Sequence, residues 1–198
     1  MKKLIFLILF IVNMNLRAQE GVVLPLINNV YGMMISGIYE KDTNNDMIHY
    51  IGTWKGLLNN RTVILQLDKY TKFKRYYPDG YTYIDEIKGR YIVYEGDIDI
   101  ILNPVIIASS MEIENPIENA PLFSVGDGRN NKFLLEYTDY QFCRAEGKLY
   151  LTRNLANPNE LIYGFGLQHS VIFDKDCPYT SEVPIPLPVG TTTLLRIN

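Results

Sequence analysis

The side chains able to do chemistry are few and scattered. His49 and His169 are the only histidines, Cys143 and Cys177 the only cysteines, and the acid pairs that stand out are Asp85 with Glu86 and Asp97 with Asp99. A hydrolytic nucleophile needs a base within hydrogen-bond reach, and the chain has no G-x-S-x-G elbow to present one. Two thiols and two imidazoles do not make zinc-finger spacing. Paired carboxylates can cleave glycosidic bonds or hold calcium. On a strand, adjacent Asp85 and Glu86 diverge while Asp97 and Asp99 share a face. Solvent-facing strand charges are the expected role of all four, and surface or capping roles that of both histidines. Gly164-Phe165-Gly166 is two glycines at a strand end rather than a phosphate loop. These residues predict no catalytic group, no cofactor and no metal site, and they rank an enzyme third among the functions considered.

Binding chemistry has a little more to work with. Lys69, Lys72, Lys74 and Arg75 interleave with Tyr70, Phe73, Tyr76 and Tyr77, a pattern that could stack and neutralise a single strand. The overall charge of −3 argues against nucleic acid, which needs a concentrated basic surface. A solvated strand face or loop is the expectation. Cys143 and Cys177 either pair or remain two buried thiols; a bridge closing that loop would stabilise the fold by about 3 to 4 kcal/mol.

The elements that must position these groups begin after residue 18. Lys2 and Lys3 precede an apolar run from Leu4 to Val12, and Ala18 stands before Gln19, the pattern of a secretory signal. Cleavage there would leave 16 basic and 22 acidic residues, a charge of −6. The protein is expected to be secreted or periplasmic, with no integral membrane segment once residues 1–18 are gone. Residues 19–50 read as an extended arm ending in a short helix, with Asp42 or Thr43 as its cap, and residues 51–198 as one β-barrel-like domain.

Within that domain, 51–58 and 62–68 flank Asn59-Asn60-Arg61 as a hairpin. Pro78-Asp79-Gly80 marks a turn, followed by strands at 81–84, 88–95 and 97–102, with a bulge at Gly89. Residues 103–121 read as mostly irregular, with an edge-pairing segment at 105–108. Strands at 122–125 and 132–140 form a second hairpin, and those at 148–153 and 160–165 a third. Pro184, Pro186 and Pro188 remove donors from one side only, so that segment is an edge strand or a polyproline-like connector. A last strand follows at 192–197. The fold class is all-β: an antiparallel up-and-down barrel or half-barrel with a short helical turn before its first strand.

Gly52-Thr53-Trp54, placed after that turn, resembles the G-x-W motif of lipocalins and related calycin barrels. The resemblance implies that Trp54 plugs the closed end and that Arg196, on the last strand, packs across it. Lys41-Asp42 with Asn44-Asn45, Ile51-Gly52-Thr53-Trp54, Gly89-Arg90-Tyr91 and Ile185-Pro186-Leu187-Pro188 resemble a secreted domain-of-unknown-function family of Bacteroidetes. That resemblance implies a bacterial exported protein and brings no catalytic residues. By fold analogy the barrel mouth is expected to hold a small, partly apolar, lipophilic ligand. The alternative is a structural or interaction protein of the cell envelope whose Tyr-rich outer strands bind a partner or polymer. The sequence carries no signal for oligomeric state.

Overall fold

Val63, Leu65 and Leu67 fill every second position and are fully buried, the period of a strand with one face in a core. Phe133, Leu135 and Tyr137 repeat it, as do Leu149 with Leu151 and Leu161 with Tyr163. The computed structural model, which describes residues 22–26, 36–125, 129–168, 177, 179 and 183–198, shows what these segments build. Two short strands come first, β1 (Val23–Pro25) and β2 (Tyr39–Lys41), then β3 (Gly52–Leu58). Two long ones follow, β4 (Arg61–Tyr77) and β5 (Gly80–Glu95). After β6 (Ile106–Ser109), a one-turn helix α1 (Pro116–Asn119) and β7 (Leu122–Ser124) come β8 (Lys132–Asp139), β9 (Ala145–Arg153), β10 (Glu160–Leu167) and β11 (Gly190–Arg196).

Eight of these strands close into a barrel. β3, β4 and β5 meet β7 through β11 in chain order, and β11 returns to β3. Every pair in that ring is antiparallel, so the architecture is an all-β, up-and-down barrel of the lipocalin-like kind. Two seams are narrow. β5 meets β7 only at Lys88 with Phe123 and Gly89 with Leu122, and β11 meets β3 at Leu195 with Lys55 and Arg196 with Trp54.

Several sequence expectations are corrected. The segments at 81–84 and 88–95 are one continuous strand, because Asp85 and Glu86 are only 2% and 1% exposed and pair inside the structure instead of breaking it. Gly89 sits in unbroken register; the bulge lies opposite, between Tyr70 and Phe73. Residues 97–102 form a turn, fixed by Asp97 carbonyl bonds to the amides of Ile100 and Ile101, so Asp97 and Asp99 share no strand face. Of the two readings of the proline segment at 184–188, only the edge strand is overturned: the segment is outside any strand, and the strand after it begins at Gly190. β6 does pair at an edge, along β5.

The arm lies along the barrel as a parallel pair, β1 on β2 and β2 on β5. A 3-10 turn over Asp46–His49 leads into β3. Its free amides are satisfied by Asp42, whose carboxylate accepts from Asp46 N at 2.8 Å and Met47 N at 3.2 Å. Residues 1–18, His169 and the loop residues 126–128 lie outside the described residues. Among the described residues no helix is long and apolar enough to cross a membrane.

Candidate functional site

One end of the barrel is built around Trp54, which is fully buried and donates its indole N–H to Tyr50 O at 2.8 Å. The Arg196 guanidinium stands 4.4 Å from the Trp54 ring centre and donates to His49 O at 3.1 Å. Gly52 lies beside them with φ +126. His49 is held below the usual imidazole range by desolvation and by Arg153. Cys143 and Cys177 are joined in a disulfide with Cα atoms 5.4 Å apart.

The inner wall offers little room. Trp54, Val63, Leu65, Leu67, Ile87, Tyr91, Val93, Leu122, Phe133, Leu135, Tyr137, Leu149, Leu151, Tyr163 and Leu194 all show 0% exposure. A side chain lining a ligand-sized cavity would be touched by a water-sized sphere, and these are not. Their polar ends are also taken up. Tyr91 OH donates to Asp139, Tyr137 OH reaches the same carboxylate at 3.4 Å, and Tyr163 OH donates to Pro188 O at 2.9 Å. These positions form a packed core, as in small barrels whose interiors are filled by side chains.

The feature that projects from this core is the β4–β5 hairpin. β3 accompanies β4 only as far as the Gly52–Leu67 pair, whereas β4 and β5 continue to Tyr77 and Gly80. Cross-strand partners share a face, so Lys74 with Tyr83 and Tyr76 with Tyr81 lie on one side. Tyr39 of β2 is Tyr83's partner there. Lys72 sits in the bulge at φ 54, its amide donating to Asp85 Oδ1 at 3.0 Å. Asp85 also accepts from Tyr39 OH at 2.6 Å and from Asp42 N at 3.1 Å, so one buried carboxylate fixes both arm and bulge. Burial and that bond to Asp85 push the Tyr39 hydroxyl up to about 12.

The result is an alternating row of rings and ammonium groups. Lys72 Nζ is 5.9 Å from the Tyr39 ring centre and 5.5 Å from that of Tyr83. Lys74 Nζ is 4.0 Å from Tyr81 and 4.9 Å from Tyr76, and Tyr81 meets Tyr83 edge-on at 5.6 Å. Contact with the Tyr76 hydroxyl holds the Lys74 ammonium above its usual range. Among the described residues neither ammonium has a carboxylate partner.

Residues 1–117 match the model of a family of unknown function, DUF6705. The chain belongs to that family. No curated protein and no solved structure matches it. The matched part of this DUF6705 chain includes Gly52, Trp54 and the whole tyrosine–lysine row, but stops before Cys143, Cys177 and Arg196.

The sequence cluster of Lys69, Lys72, Lys74, Arg75, Tyr70, Phe73, Tyr76 and Tyr77 is thus divided by the pleat. Lys72, Lys74 and Tyr76 join the row. Phe73 and Arg75 face the other way, and Lys69 is used by Asp42 at 2.7 Å. Tyr39, Tyr81 and Tyr83 escaped sequence reasoning; the signal was the Tyr81-Thr82-Tyr83 alternation mirrored across Pro78-Asp79-Gly80. Asp99 pairs with Lys55 at 2.6 Å, and Asp97 accepts from Asp99 N. Among the described residues no group of three or more His, Cys, Asp or Glu could hold a metal ion.

Proposed function

We propose that this DUF6705 protein is an exported interaction module whose projecting hairpin grips an acidic glycan of the cell envelope. The observation that carries this reading is the tyrosine–lysine row, in which three hairpin rings, Tyr39 of the neighbouring β2 and two ammonium groups without a carboxylate partner among the described residues share one face. Rigid aromatic faces supply large contact area at small entropic cost. Ammonium groups flanked by rings supply charge-assisted donors that suit carboxylates. Tyr76, 73% exposed, is the most accessible ring.

Export is supported by Lys2, Lys3, the apolar run Leu4 to Val12 and the Ala18–Gln19 junction. A small lipophilic ligand in the barrel mouth draws no support from an inner wall made of fully buried side chains. An acidic polymer meets a chain that is itself acidic, so binding has to be local to the row and screened by salt.

Affinity electrophoresis in alginate, a polyuronate, against neutral dextran tests the reading. Alginate is expected to retard the protein in low salt and dextran is not. A Lys74→Ala, Tyr76→Ala double variant should lose at least tenfold in affinity while its denaturation midpoint stays put. Equal retardation by dextran, or an unaffected double variant, overturns the proposal.

A further inference from the structure

On the outward side of the same hairpin lies a half-open cleft of about 370 Å³, within the size range of small-molecule sites. Its floor is Glu86, which strand alternation turns outward and which is nevertheless 1% exposed. Two cations hold it there. Arg75 donates to Oε2, and Lys88 Nζ is 3.0 Å from Oε1 while also donating to Ile117 O.

One carboxylate between two cations leaves the floor with a surplus positive charge. A third cation, Arg144, lines the wall; its guanidinium stands 5.6 Å from the Tyr140 ring centre, and its buried Nε has no acceptor among the described residues. The surplus belongs to the floor alone: two further acids line the cleft, Glu118, exposed on α1, and Glu146, half-buried on β9. Half-buried Phe73 and Phe123 also line the cleft, as does the exposed Tyr140, and Lys88 Nζ is 4.1 Å from the Phe73 ring centre. A donor-rich, cationic inner end with aromatic sides is the complement of a carboxylate carried on a flat apolar body.

We infer that this cleft binds a small aromatic monocarboxylate, with its carboxylate toward Lys88 and Arg144 and its ring between Phe73 and Phe123. The site is separate from the tyrosine–lysine row: it lies on the opposite face and joins residues of the matched family region to residues beyond it. An acid is selected over the corresponding alcohol by charge. An amine of the same shape is excluded by the cationic floor.

The test is a titration of the 15N-labelled protein with phenylacetate, 2-phenylethanol and 2-phenylethylamine, followed by amide shifts. Phenylacetate should saturate shifts at Phe73, Lys88, Phe123 and the 140–146 segment, and the other two compounds should not. Arg144→Gln should weaken phenylacetate at least tenfold. Glu118→Gln, an exposed change that removes a rim acid, should tighten it two- to threefold without disturbing the fold. The inference fails if no compound moves these signals at millimolar concentration, if the alcohol binds as well as the acid, or if neither substitution alters phenylacetate affinity. None of these outcomes bears on retardation by alginate.

Discussion

At Gly52 the backbone takes φ +126, and a Cβ built there would lie 2.6 Å from the carbonyl oxygen of Asn198. Thr53 N donates to that oxygen at 3.1 Å and Thr53 O accepts from Ile197 N at 2.9 Å. The glycine is therefore what lets the chain end pack against the first barrel strand, with Arg196 over Trp54 one step away. Gly52→Ala should cost about 2 to 3 kcal/mol, from strain and from displaced backbone. Gly164 is the control. Its nearest new neighbour would be 3.8 Å away, so Gly164→Ala should be neutral or stabilising by up to about 1 kcal/mol. Urea melts of the two variants decide, and equal midpoints would refute the role given to Gly52. The G-x-W signature was legible because Trp54 is the one tryptophan of the sequence and stands two residues after a glycine, behind the helical turn. The contact with Asn198 was not, since it depends on how the ring closes.

Buried carboxylates tie several elements together around the apolar core. Asp42 caps the 3-10 turn through the amides of Asp46 and Met47, and its Oδ2 pairs with Lys69 at 2.7 Å, with 5% of its side chain exposed. Removing it would leave two amides and a partly buried ammonium without acceptors. Asp42→Ala should therefore destabilise by about 3 kcal/mol, combining a lost cap with a broken buried pair. Limited proteolysis should then open residues 36–50 before the barrel; unchanged protection would contradict this. The turn and its cap were readable, as were three hairpins, because Asn, Gly and Pro carry the geometry of tight links. The full length of β4 and β5 was hidden. Asp85 and Glu86 look like a solvent break until Tyr39, Lys72, Arg75 and Lys88 are seen to satisfy them. The tyrosine–lysine row was hidden for the same reason, since a bulge at Tyr70/Phe73 sets which side chains share its face.

For the molecule as a whole, up-and-down order followed from hairpin spacing; strand count did not, since 81–84 and 88–95 are one strand and 97–102 is a turn, and closure rests on two seams of two residue pairs each, too few to leave a sequence pattern. Whether the interior was hollow could not be read either, because large apolar side chains suit a ligand cavity and a packed core alike. The filled core has a measurable consequence at high pH. Burial raises the hydroxyls of Tyr91, Tyr137 and Tyr163 far above the ordinary tyrosine value and raises that of Tyr50 to about 12. In the unfolded chain the same groups ionise near pH 10. Above that pH the unfolded state holds fewer protons than the folded one, so the stability these neutral hydroxyls contribute is complete below about pH 10 and declines as pH rises further. Each tyrosine kept neutral adds a slope of about 1.4 kcal/mol per pH unit to that loss. Guanidinium midpoints should be flat from pH 7 to 9 and fall steeply between pH 10 and 12. Tyrosinate absorbance from the buried set should then appear together with the loss of Trp54 fluorescence anisotropy. Ionisation of these four hydroxyls near pH 10 with Trp54 still immobile would mean that the wall admits hydroxide and the core is not sealed.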